Sequence, residues 1–114
     1  MYSISGNAVD LAVTGHEQNR LRGECEISQT RLVDESGFSF GVWQVSPGVF
    51  TSEWEGWEAF TIIDGEGTLE DGDGVVHDLV PGALIVIPPG STGTWRITRT
   101  LRKTYVFPAD SVGR

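Results

Sequence analysis

The chain is poor in the residues that most often carry chemistry alone. Among 114 residues it has one cysteine, Cys25, and two histidines, His16 and His77. A single cysteine excludes an intrachain disulfide framework and any cysteine-rich zinc or iron–sulfur site. It fits a reducing cytosol and reads as a buried structural thiol. Positive charge is missing from residues 32 to 95, which contain no Lys or Arg, whereas carboxylates run from Asp34 to Asp78. With a net charge of −8, such a chain repels phosphate backbones and anionic lipid, so neither nucleic acid nor membrane is expected as a partner. The late basic cluster, Arg96, Arg99, Arg102 and Lys103, is too short to reverse that. No apolar run approaches the roughly twenty residues that span a bilayer. The opening residues lack the basic and apolar regions of a signal peptide, so a soluble cytoplasmic protein is expected.

What is present is one domain's worth of β-forming sequence. An apolar content of 39% is enough for a single self-standing core at this length. No window sustains a helical period. Segments rich in β-branched and aromatic residues predict strands over Glu24 to Leu32, Phe38 to Val45, Glu58 to Ile63, Gly67 to Leu69, Val75 to Leu79, Ala83 to Ile87, Gly93 to Thr98 and Arg102 to Phe107. Turn residues separate them: Glu35-Ser36-Gly37, Ser46-Pro47-Gly48, Asp64-Gly65, Asp71-Gly72-Asp73-Gly74, Pro81-Gly82 and Pro88-Pro89-Gly90. Short strands at regular spacing without crossover helices indicate an all-β antiparallel sandwich or barrel. Residues 1–22, where Val9, Leu11 and Val13 alternate but Asn7, Asp10 and Gly15 interrupt, are expected as an irregular N-terminal arm. Residues 23–110 are expected as one barrel.

The acidic segment 64 to 78 reads first as a solvated hairpin whose charge protects a sheet edge. A calcium loop at Asp71 and Asp73 would want an oxygen ligand at Val75 and a glycine at Val76, and has neither.

From Glu58 onward the spacing resembles a known family. Glu58 followed by Gly65 matches the closing half of the first cupin motif. Gly82, Pro88 and Gly90 match the opening half of the second, with a Gly- and Asp-rich hairpin between. The stretches Trp43 to Gly48, Glu58 to Gly65, Pro88 to Gly90, Gly93 to Trp95 and Arg102 to Tyr105 are similar to small single-domain cupins related to the cupin domain of (S)-ureidoglycine aminohydrolase, over roughly residues 38 to 108. The resemblance implies an antiparallel double-stranded β-helix, a jelly-roll open at one end with its ligand site inside.

It also implies a metal, and here the sequence departs. The histidine positions of the first motif fall on Ser52 and Trp54, or in the other register on Thr51 and Glu53. The second-motif histidine is Gly93, and the asparagine often found after it is Ile97. Only Glu58 remains of the ligand set, and one carboxylate does not hold a first-row metal. No cofactor is expected, although Glu53 with Glu58 could make a two-carboxylate site for a hard cation such as manganese. His16 and His77 lie at no motif position and read as ordinary surface or core histidines.

With Glu58 inward, as the resemblance implies, alternation puts Phe60 and Ile62 on the same inner face, and the second motif adds Gly93, Trp95 and Ile97 to it. An aromatic pocket with one acid follows, in which Gly93 opens space and Trp95 offers a stacking surface. Glu58 is the candidate acid or base, or the acceptor for an amine or amide. Trp43, Trp54 and Trp57 either frame the rim or pack the core. Lys103 and Tyr105 share one strand face and Arg102 takes the other. Lys103, if inward, would pair with Glu58 or bind a carboxylate. Three functions are compatible with this: a cupin binding a small organic molecule without the standard metal, an enzyme acting on ureido or amino compounds with Glu58 as acid or base, and a structural or regulatory homodimer with a filled barrel. A homodimer is expected in any case. A barrel filled by Phe60, Ile62, Trp95 and Ile97 would favour the third.

Overall fold

Glycine- and proline-bracketed runs of β-branched and aromatic residues become strands throughout the computed structural model, which describes residues 1–35 and 37–108. Ser36, in an expected turn, and residues 109–110, in the expected barrel, lie outside the described residues. The strands are β1 (Ala12–His16), β2 (Arg20–Gly23), β3 (Glu26–Glu35), β4 (Phe38–Val45), β5 (Gly48–Glu53), β6 (Glu58–Asp71), β7 (Val76–Leu79), β8 (Leu84–Ile87) and β9 (Thr92–Pro108). Every pairing is antiparallel. Among the described residues no helix is long and apolar enough to cross a membrane.

Two long strands organise the rest. The first part of β9 pairs with β5, and its last part pairs with β4. β6 pairs with both parts of β9, then with β8 near its start and β7 near its end. Each long strand therefore passes through two sheets, one ordered β2-β5-β9-β6-β7 and the other β1-β3-β4-β9-β6-β8. Sequence reading divides each of these strands in two, and the division marks a real bend. Register shifts fall between Ile62 and Gly67, and Gly65 sits there with φ 96°, a left-handed conformation that glycine adopts without strain. A Cβ on Gly65 would collide with Thr100 O and Leu101 Cα, so the bend of β6 packs directly on that of β9. The product is an all-β jelly-roll, as the alternation and turn chemistry indicate.

The amino-terminal expectation requires correction. Residues 12–16 and 20–23 are not irregular: β1 adds to β3 and β2 adds to β5 as edge strands. Most of their residues are exposed on both faces. Backbone pairing without burial leaves no alternation to read. β5 was also missed by sequence, because its inward positions include the polar Ser52 beside Phe50.

The segment before β1 is tied across the outer face of the second sheet. Arg102 Nη1 donates to Gly6 O at 2.9 Å and Val9 O at 3.1 Å, and Nε donates to Gln44 Oε1 at 3.0 Å. Between the sheets lies the core, which includes Val45, Phe50, Ile62, Leu79, Leu101 and Phe107. Burying each large apolar side chain contributes roughly 1.5–3 kcal/mol. Cys25 belongs to the same cluster as a free, fully buried thiol. Burial foremost, with Glu17 adding to it, pushes its pKa up, which keeps it protonated and unreactive.

Candidate functional site

Three strands bring most of the expected site residues to the inner face. β6 contributes Glu58, Phe60 and Ile62. β9 contributes Gly93, Trp95, Ile97, Leu101, Lys103 and Tyr105. β4 contributes Trp43. All are buried. Trp54 follows β5 and is buried too, whereas Trp57 is 54% exposed and frames nothing inside.

At the centre is an ion pair. Lys103 Nζ donates to Glu58 Oε2 at 2.9 Å, with side-chain exposures of 0% and 1%. The other carboxylate oxygen, Oε1, accepts the Trp54 indole N–H at 3.0 Å. The ammonium lies 4.1 Å from the Phe60 ring centroid, 4.6 Å from Trp43 and 5.0 Å from Trp95, distances at which aromatic quadrupoles attract a cation. A buried charge must be paired and hydrogen-bonded to be tolerated, and this one is bonded to a carboxylate and ringed by π-faces. Register explains the meeting. Trp43 pairs with Lys103 across β4 and β9, and Lys103 pairs with Ile62 across β9 and β6.

Trp95 is similarly enclosed. It stacks on Phe50 at 5.5 Å and on Phe60 at 5.6 Å, is tilted against Trp43 and Trp54 at 6.1 Å each, and donates its indole N–H to Ser52 Oγ at 3.0 Å. At 1% exposure, the ring is closed to solvent rather than offered as a platform. The space expected at Gly93 is occupied as well. A Cβ there would meet Leu69 Cδ1 at 2.8 Å and Trp54 Cζ3 at 3.3 Å. The side chains of Leu69 and Trp54 stand where a side chain at this position would begin.

The residues therefore do not fit the divalent metal that the fold implies. Both Glu58 oxygens already accept hydrogen bonds, an ammonium lies beside one of them, and a side chain at Gly93 would collide. Among the described residues, no group of three His, Cys, Asp or Glu side chains could hold a metal ion. Glu53 is exposed at the end of β5, whereas Glu58 is buried.

A second polar cluster, which sequence reading treated as a surface hairpin, opens where the two sheets part. β7 and β8 are edge strands of different sheets, and between them lies a cleft of about 580 Å³. Leu69, Asp71, Asp73, His77, Ile85, Ile87 and the Pro88–Thr92 segment line it, and so does Trp54. His77 Nε2 lies 3.0 Å from Asp71 Oδ2. Asp71 Oδ1 accepts the N–H groups of Asp73 at 2.9 Å and Val75 at 3.1 Å. These partners, His77 foremost, lower the Asp71 pKa below the usual aspartate range. The legible signal was the hairpin itself: Glu70 pairs with Val76 and Leu69 with His77, which brings Asp71 and His77 together at its base. Of the expected pocket residues, only Trp54 touches this cleft. Glu58, Lys103 and Trp95 do not line it.

Fold and inner face together define a cupin barrel in which a lysine ammonium lies beside the motif carboxylate. The chain belongs to the family of EutQ-like cupin domains, which it matches over residues 32–105. Among solved structures it is similar to a Pseudomonas syringae pv. tomato protein of unknown function, with a TM-score of 0.80 and 19% identity over 89% of this chain. The chain spans 45% of that protein's length. It is also similar to a putative ethanolamine utilization protein Q from Salmonella typhimurium, with a TM-score of 0.72 and 23% identity over 95% of this chain and 86% of the other. The EutQ protein of Clostridium difficile gives a TM-score of 0.71 and 25% identity, over 95% and 87% of the two chains. No curated protein matches the sequence.

Proposed function

We propose that the protein is a cupin that binds a small organic molecule without the usual metal, and that it does so in the cleft between β7 and β8 rather than in the barrel's centre. The observation that carries this reading is the cleft's relation to Trp54, which stands in its wall while its indole N–H holds Glu58. The site is concave and of mixed polarity, with Asp71, Asp73 and His77 converging beside apolar residues such as Ile85 and Pro88, the combination that orients a small molecule.

The finer resemblance to ureidoglycine aminohydrolase makes ureides the first ligands to try. Glu58 as acid or base for such chemistry has the sealed ion pair against it, since no substrate atom reaches a carboxylate that is 2% exposed unless Trp54 moves. The test is a thermal-shift screen of ureides, amino acids, small carboxylates and ethanolamine, followed by amide chemical-shift mapping of whatever stabilises. Shifts concentrated on Asp73, His77, Ile87, Gly90 and Thr92 are expected. Binding mapped elsewhere, or no binder in the panel, overturns the proposal.

A second reading, the homodimer with a filled barrel, is favoured by the packed interior and by the apolar outer face of the second sheet. Phe38, Phe40, Leu84 and Val86 are exposed there, beside an apolar groove that also contains Ile4, Ala59 and Val106. Sedimentation equilibrium of wild type and Phe40→Lys tests it, with the substitution expected to yield monomer.

A further inference from the structure

The cleft between β7 and β8 contains one ring whose hydrogen-bonding polarity is set by its neighbours, and that ring is His77. The inference rests on the cleft being the binding site. Asp71 is fixed at the hairpin base because Oδ1 accepts two backbone N–H groups, from Asp73 and Val75. Its other oxygen faces His77 Nε2 at 3.0 Å. An ionised carboxylate only accepts, so the ring nitrogen it faces carries the hydrogen. In a neutral imidazole the opposite nitrogen, Nδ1, is then a lone-pair acceptor. Among the described residues Nδ1 has no hydrogen-bond partner, and the side chain is 41% exposed within the cleft wall.

The rest of the lining narrows what could approach. Ile85, Pro88 and Pro89 supply the accessible apolar surface, with Leu69, Ile87 and Trp54 buried behind it. No Lys or Arg lines the cleft, and its titratable groups are Asp71, Asp73 and His77. An anion would find two carboxylates and no fixed cation, so its desolvation would go uncompensated.

We propose that His77 Nδ1 is the polar anchor of this cleft, accepting a hydrogen bond from the O–H or N–H of an uncharged planar ligand whose ring lies against the apolar wall. Phenol and hydantoin, a cyclic ureide, are the probes, and benzoate is the anionic control. The measurement is a titration at about pH 8, where an ordinary imidazole is neutral, followed by the His77 ring ¹⁵N shifts and by amide shifts around the cleft.

Phenol and hydantoin are expected to move the Nδ1 resonance saturably, and benzoate is not. His77→Gln should weaken both by about tenfold, the effect of losing one hydrogen bond of about 1.4 kcal/mol. Asp71→Asn supplies the readout that a purely structural role would not move. The asparagine oxygen can keep the turn, while its NH₂ group donates to Nε2 and forces the hydrogen onto Nδ1. Phenol and hydantoin should then weaken by about tenfold and benzoate should begin to bind, with the ring shifts reporting the exchanged tautomer.

The outcomes separate cleanly. Cleft amides that respond to phenol or hydantoin with unchanged affinity in His77→Gln would leave the cleft as a binding site and overturn the role of His77. Cleft amides silent to both probes overturn the role of His77 as well. The fate of the binding-site reading then rests on the wider ligand screen. An Asp71→Asn variant that folds, shows the changed tautomer and keeps its preference for phenol over benzoate would also overturn the proposal.

Discussion

Two acid–base pairs of nearly equal length lie in this molecule and behave as different objects. Lys103 and Glu58 are 2.9 Å apart with exposures of 0% and 1%. His77 and Asp71 are 3.0 Å apart with exposures of 41% and 36%. The first pair is saturated: Trp54 takes the remaining carboxylate oxygen and aromatic rings surround the ammonium. The second is saturated only on the Asp71 side, and its imidazole stands in a cleft. Equal distances therefore do not mean equal roles. Removing a partner in the dry interior leaves an uncompensated charge, whereas water compensates at the cleft.

The strongest way to break that contrast is to remove one partner of the inner pair. Glu58→Gln and Lys103→Met should each cost about 3–5 kcal/mol in urea unfolding. The double variant should cost far less than their sum, because no unpaired charge remains. Additive losses would mean that the two side chains are not coupled. Trp54→Phe, which keeps the packing but leaves Oε1 without its indole partner, should cost about 1–3 kcal/mol and also alter the cleft wall. Gly93→His should cost about 1–3 kcal/mol through overpacking against Leu69 and Trp54. Its melting temperature should not respond to manganese, zinc or chelator, and a metal-dependent rise would show that the old ligand position still functions.

The smallest effect belongs to the outer pair. The Asp71 carboxyl is held below its usual range by His77 and the Val75 N–H, so it contributes stability above the unfolded-state pKa and loses it as pH falls through the lowered folded-state value. Wild type should exceed Asp71→Ala slightly at neutral pH, and an acid titration of both should converge below the aspartate range. A gap that widens with acid would contradict the assigned direction.

Much of this was legible in the sequence. Once the motif resemblance points Glu58 inward, alternation places Phe60 and Ile62 with it and Trp95 with Ile97, because sheet geometry projects every second side chain to the same side. For Lys103 it gave only a face shared with Tyr105 and left open whether that face points inward. The Asp64-Gly65 turn marks the bend of β6, while that of β9 shows only as a gap between two predicted strands. The pairing of β1 and β2 was not legible, since strands exposed on both faces carry no periodic signal. Nor was the occupation of the space at Gly93. Alternation says that a position points inward, but not which neighbour reaches it first, and Leu69 comes from β6 and Trp54 from the segment after β5. The hairpin that brings His77 back to Asp71 was legible, but its role was not: a charged hairpin has the same composition whether its turn stands free or forms the wall of a cleft.

The strand arrangement carries a consequence for biosynthesis. β9 lies inside both sheets yet comes last among the described strands, so Trp43, Phe50 and Phe60 are synthesised well before Trp95 and Lys103 exist to cover them. Such delayed, long-range pairing makes for slow folding and a spell of vulnerability to aggregation. On a translating ribosome, the nascent chain would have to wait for Thr92–Pro108 to clear the exit tunnel before either sheet could close.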